Sequence, residues 1–79
     1  MREKKPHIVL SFNTTTQAMA AEKYLKENRL PGRLIPVPRE ITAGCGLAWK
    51  APLEDKDLVL NAMTEAGLVW EAATELMLV

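Results

Sequence analysis

The chain predicts an α+β fold of the split β-α-β, or ferredoxin-like, type: a four-stranded antiparallel sheet carrying two helices on one face. Three observations predict it. Extended and helical segments follow one another in the order β-α-β-β-α-β. The 79 residues allow one domain and no more, so these segments must pack on each other. The composition, 48% apolar and 25% charged, is that of an ordinary globular chain. Residues 1–79 therefore read as one domain, with 1–6 as a short tail. A chain of this length buries only somewhat more than ~60% of the surface it exposes when unfolded, so each large apolar residue matters.

The first strand is read as His7-Ile8-Val9-Leu10-Ser11-Phe12, preceded by Pro6 and apolar on both faces, as a central strand would be. Helix-start chemistry follows in Asn13-Thr14-Thr15-Thr16-Gln17: Thr14 with Gln17 fits a capping box, and Asn13 is an alternative cap. From there to about Asn28 the chain reads as helix, with Ala18, Ala21 and Leu25 at helical spacing and Glu22 paired with Lys26. Pro31-Gly32 is read as its stop. Arg33 to Pro38 is extended, but Pro36 and Pro38 each lack a ladder donor, which assigns this strand to an edge. A loop from about Arg39 to Gly44 leads to a third strand, Gly46 to Ala51, stopped by Pro52. The second helix is read from Glu54 to Ala66. Its apolar stripe is Leu58, Ala62, Met63 and Ala66, its dipole is met by Glu54, Asp55 and Asp57, and Gly67 stands at C′. Leu68 to Glu71 and Leu76 to Val79 close the chain, as one long strand or as two pieces bent near Ala72-Ala73.

Ten basic and ten acidic side chains cancel, which argues against duplex nucleic acid or an anionic membrane as the partner. The one basic cluster, Arg2 with Lys4 and Lys5, reads as a solvated terminus. A single cysteine rules out an internal disulfide framework and gives no sign of secretion. Pro6 and His7 interrupt the basic start before any signal-peptide core, and the apolar runs are too short to span a bilayer. A soluble, cytoplasmic protein is expected.

That cysteine, Cys45, carries the functional reading. A thiol that only fills a core usually has bulky apolar neighbours, whereas Cys45 stands between Gly44 and Gly46 with Arg39 six residues upstream. The predicted topology adds a second point. Strand one runs up, helix one returns, and strand two runs up again, so the loop after strand two shares a sheet edge with the start of helix one. Cys45 is thereby expected near the N–H groups of Asn13, Thr14, Thr15 and Thr16. A helix N-terminus favours negative charge and lowers the pKa of a nearby thiol, and Arg39 adds to the effect. A partly exposed, thiolate-leaning Cys45 is the expectation.

Other chemistries lack their parts. A metal site needs three or four ligands, and the chain offers Cys45 and His7 at no ligand spacing. No CxxC pair is present, and Gly44-x-Gly46 lacks the third glycine of a phosphate loop. No bound cofactor is expected. A hydrolytic cysteine wants a histidine base, but His7 begins strand one at the opposite edge. Trp49 and Trp70 read as packing residues, without the stacking aromatics of an RNA-recognition sheet. A nucleophile, a carrier thiol, and a cysteine merely tolerated in a glycine turn remain open.

The run Pro38-Arg39-Glu40-Ile41-Thr42-Ala43-Gly44-Cys45-Gly46-Leu47-Ala48 resembles the selenium/sulfur carrier protein-like family, as do Phe12 and Thr14 followed by Ala18, Ala21, Glu22, Lys23 and Leu25. The resemblance runs from about His7 to Trp70. It departs at Arg29-Leu30-Pro31-Gly32, which replaces a small-residue-glycine turn. It implies a small bacterial protein, linked to sulfur relay or selenium metabolism, with the cysteine as carrier atom. On that reading Cys45 holds a persulfide and Gly44 and Gly46 give access and backbone donors. Arg39 and the helix start at Thr14 to Thr16 stabilise the anion. Donor and acceptor proteins serve it, and it is a carrier more than a stand-alone enzyme. The alternative is a small interaction module without chemistry. It would pair through an edge strand, with itself as a homodimer or with a partner, because Leu76-Met77-Leu78-Val79 makes an apolar strand end.

Overall fold

The computed structural model describes residues 3–41 and 44–79. Met1 and Arg2 of the leading tail, and Thr42 and Ala43 of the loop before Cys45, lie outside the described residues. Four strands, β1 (Lys5–Ser11), β2 (Arg33–Pro36), β3 (Leu47–Pro52) and β4 (Ala72–Leu78), form one sheet in the order β2-β3-β1-β4. Every neighbouring pair is antiparallel. With helices α1 (Thr15–Glu27) and α2 (Lys56–Glu65) this is the predicted ferredoxin-like layout, with β1 central and β2 on an edge. β1 starts earlier than the sequence reading has it, because Lys5 and Pro6 already pair with Leu78 and Met77.

Strand alternation sorts the sheet into two faces. Ile8, Leu10 and Phe12 join Trp49 and Ala51 of β3 in a buried cluster with Ala18, Ala21 and Leu25 of α1 and Val59 and Met63 of α2. Both helices therefore cover the same face. Burying one side chain of the size of Phe12 or Leu25 contributes about 1.5–3 kcal/mol, so this cluster dominates the stability of so short a chain. Trp49 is fully buried and donates its indole N–H to the Pro31 carbonyl at 3.2 Å, tying β3 to the exit of α1.

The start of α1 follows the sequence. Thr14 Oγ1 accepts the Gln17 N–H at 3.1 Å, and Gln17 Oε1 accepts the Asn13 N–H at 3.1 Å, one residue ahead of the usual return bond. Lys26 meets Glu22 at 3.3 Å. The exit differs from the expectation. Arg29 takes a left-handed conformation at φ 55°, and the Leu30 N–H donates to the Leu25 carbonyl at 2.8 Å. The helix is thus closed before Pro31-Gly32 by a Schellman turn built on an arginine, with Leu30 packed against the core.

Two further expectations are corrected. Glu54 and Asp55 belong to a 3₁₀ turn, Leu53–Asp55, and α2 begins only at Lys56. Its buried residues are Val59 and Met63, while Leu58 and Ala66 are exposed. Apolar residues at 58, 59, 60, 62 and 63 satisfy helical spacing on two adjacent faces, so periodicity alone does not choose between them. The segment Leu68 to Glu71 is not a strand. The Leu68 N–H is used to close α2 on the Met63 carbonyl at 3.0 Å, and sheet-directed bonding starts with the Glu71 N–H on the Ser11 carbonyl at 2.7 Å. Ala72 and Ala73 therefore open β4 and do not bend it.

Candidate functional site

The loop joining β2 to β3 is built on a clamp. The Val37 N–H donates to the Gly46 carbonyl at 2.9 Å, continuing the β2–β3 pairing by one step and closing the chain between them into a ring. β2 itself stops at Pro36, short of the predicted Pro38. Inside the ring the Ile41 N–H turns back onto the Pro38 carbonyl at 3.0 Å. Arg39 and Glu40 sit in that turn with exposed side chains.

The two glycines flanking Cys45 do different things. Gly46 has φ 74°, a left-handed conformation that redirects the chain into β3, with open space where a side chain would go. Gly44 is a place of close approach: a methyl group there would stand 2.7 Å from the Asn13 carbonyl oxygen. The loop therefore leans on the junction between β1 and α1, through the Asn13 carbonyl.

Cys45 is a half-buried free thiol that packs against the edge of the core. Its sulfur is held by one residue through two bonds. The Leu47 N–H donates to Sγ at 3.4 Å, and the thiol donates to the Leu47 carbonyl at 3.6 Å. Thr14, Thr15 and Thr16 are exposed at the head of α1. The Thr14 hydroxyl is occupied by the Gln17 N–H, and its carbonyl accepts the first helical bond from Ala18 at 3.1 Å. The structure thus brings Gly44 to the Asn13 junction. Arg39 is not drawn into an ion pair among the described residues. Sequence reasoning missed Leu47, which acts through backbone atoms that carry no side-chain signal, and it expected the N–H of Asn13 beside the loop where the structure places the Asn13 carbonyl.

His7 lies at the other end of the sheet. It pairs with Pro52 at the end of β3, whereas Ser11 pairs with Ala48 next to the loop. The run from His7 to Ser11 spans about 13 Å of strand, far beyond the hydrogen-bond reach of a Cys/His dyad. A cleft of about 330 Å³ opens at the His7 end, lined by Lys5, Pro6, His7, Pro52, Leu53 and Glu54. Among the described residues no group of three His, Cys, Asp or Glu side chains is placed to hold a metal ion. No helix among the described residues is long and apolar enough to cross a membrane.

Residues 7–75 match the family model described as "Putative Se/S carrier protein-like". No curated protein and no solved structure matches the chain.

Proposed function

The chain belongs to the Se/S carrier protein-like family, and on that premise we propose that it carries a sulfur or selenium atom on Cys45 in the cytoplasm. The observation that carries the reading is the setting of the thiol. It is half-buried between two glycines, with a backbone N–H directed at the sulfur. No other residue is needed to take up a sulfur atom by exchange.

The step balances without an added oxidant. The Cys45 thiolate attacks the outer sulfur of a donor persulfide. One S–S bond forms on Cys45 as the donor's S–S bond breaks, and the donor leaves as a thiolate. An acceptor nucleophile then takes the outer atom and returns Cys45 to its thiolate. Selenium follows the same course. On this reading Gly44 and Gly46 leave the sulfur approachable, Arg39 supplies positive charge in the loop, and the dipole of α1, headed by Thr14 to Thr16, favours the anion.

A second reading, an interaction module without chemistry, is favoured by one observation. β4 is an edge strand that carries Met77 near its end, with Val79 just beyond it, both about half exposed. The two readings part at Cys45→Ser. Incubated with a persulfide donor and weighed intact without reductant, the chain gains the mass of a sulfur atom, and Cys45→Ser gains nothing while keeping its fold. Absence of the adduct on the unaltered chain, or equal loading of the variant, overturns the carrier reading and leaves the module.

A further inference from the structure

Register and one hydrogen bond fix which backbone groups of the sheet face outward. In an antiparallel ladder bonded and unbonded pairs alternate, so a single bond sets the pattern along a strand. The Val37–Gly46 bond lies in the β2–β3 register, so Arg33–Lys50 and Ile35–Ala48 are bonded pairs. Trp49 and Ala51 then turn their backbone groups to Leu10 and Ile8 of β1. His7, Val9 and Ser11 turn theirs the other way, to Leu76, Thr74 and Ala72 of β4. The N–H and C=O groups of Ala73, Glu75 and Met77 are left pointing away from the sheet. The prolines agree with this pattern: Pro6, Pro36 and Pro52 all fall at positions where no ladder donor is lost.

The two edges of the sheet are guarded unequally. At the β2 edge the outward positions are Leu34 and Pro36, so that edge presents one N–H. The β4 edge presents those of Ala73, Glu75 and Met77, with no proline in the strand and Glu75 as its one charged side chain. No turn or loop among the described residues caps them. Glu75 already holds Lys56 at 3.3 Å, which reduces its value as a guard. Met77, and Val79 just past the strand, are exposed apolar side chains gathered at one end of this edge.

We propose that the β4 edge pairs with the β4 edge of a second copy of this chain, in a register centred on Leu76. A two-fold axis makes the two strands antiparallel and closes the assembly at two chains. Centres at Thr74, Glu75 or Leu76 bring at least two of the outward residues into bonded pairs. The Glu75 centre sets two carboxylates directly opposite, and they repel. The Thr74 centre leaves Met77 and Val79 beyond the paired segment. The Leu76 centre sets Glu75 opposite Met77 of the other copy, Leu76 opposite Leu76 and Thr74 opposite Leu78. Each Glu75–Met77 pair exchanges both of its bonds, and each Glu75 keeps its own Lys56. A strand of this length runs about 24 Å. Such an edge makes an interface below the standard size, so the pairing is reversible, with Kd in the micromolar range or weaker. The Cys45 loop lies on the far side of β1 from this edge. Pairing therefore needs nothing of Cys45, and carrier chemistry needs nothing of β4.

The test is sedimentation equilibrium of the full chain under reductant, from micromolar to millimolar concentration. A monomer passing into a dimer is expected, and Cys45→Ser is expected to behave identically. Glu75→Pro removes an outward N–H while leaving the bonds of Thr74 and Leu76 to β1, and is expected to stay monomeric with an unaltered circular dichroism spectrum. The register is read at the exposed Met77, where substitution spares the core. Met77→Lys places an ammonium opposite Glu75 of the other copy, and Met77→Glu places a second carboxylate there. The former is expected to dimerise at least about tenfold more tightly than the latter. A chain still monomeric at millimolar concentration, a Glu75→Pro variant that dimerises equally well, equal dimerisation of the two Met77 variants, or assemblies that grow past two chains each overturn the proposal.

Discussion

The two chemistry-bearing side chains of this protein sit at opposite ends of one strand pair, and the ends are built differently. At the His7 end β1 and β3 leave a cleft of about 330 Å³ lined by Pro6, Pro52 and Leu53, a shape that could surround a small molecule. At the Cys45 end the thiol rides on a glycine-flanked ring, packs against the edge of the core and bonds the backbone of Leu47. An enzyme places its nucleophile inside the cleft and beside its base. Here cleft and thiol are separated by the length of the sheet, an arrangement that suits the carrier reading proposed for Cys45.

Three substitutions distinguish the two ends of the sheet. Gly44→Ala has the largest expected effect, because its methyl group meets the Asn13 carbonyl oxygen at 2.7 Å and one of the two loops must move. Sulfur loading of Cys45 is expected to slow by about tenfold to a hundredfold, with stability lowered by about 1–3 kcal/mol in denaturant titration. Loading at the unaltered rate would mean that the contact with Asn13 does not position the thiol. Gly46→Ala comes next. The space there is open, so only the left-handed backbone is strained, and urea unfolding is expected to show a loss of about 1–2 kcal/mol. His7→Ala is the smallest. Loading is expected to stay within about twofold of the unaltered chain, since no hydrogen-bonded dyad spans the sheet. A His7→Ala chain that no longer loads would destroy the distinction between the ends.

Much of the frame was legible in the sequence because local chemistry and tertiary demand agree. Thr14 and Gln17 announce the start of α1 and do form its cap, and Pro36 marks β2 as an edge. The exits of the two helices show where agreement stops. Both end in the same turn, with Leu30 returning to Leu25 and Leu68 to Met63. Gly67 advertises its left-handed position, but Arg29 occupies the equivalent one at φ 55° without any signature. The packing of Leu30 on the core fixes that turn, and a propensity scale sees only the arginine. The phase of α2 was hidden for a related reason, since only contact with the sheet selects Val59 over Leu58. At the candidate site the topology brought the loop after β2 to the junction of β1 and α1, where Gly44 meets Asn13. The contacts of Gly44 with Asn13 and of Sγ with Leu47 depend on how two loops meet, and that is not written in either segment.

The Val37–Gly46 hydrogen bond gives the protein a seam. Everything between those residues is a tethered excursion whose two ends are fixed by the sheet, and its length enters the folding free energy only logarithmically, at about 0.6 kcal/mol per doubling. The strands on either side register against each other without reference to what the excursion contains. Such a segment can be lengthened, shortened or exchanged as a cassette while the scaffold beneath it keeps its register, which makes the fold a socket into which different loops can be set.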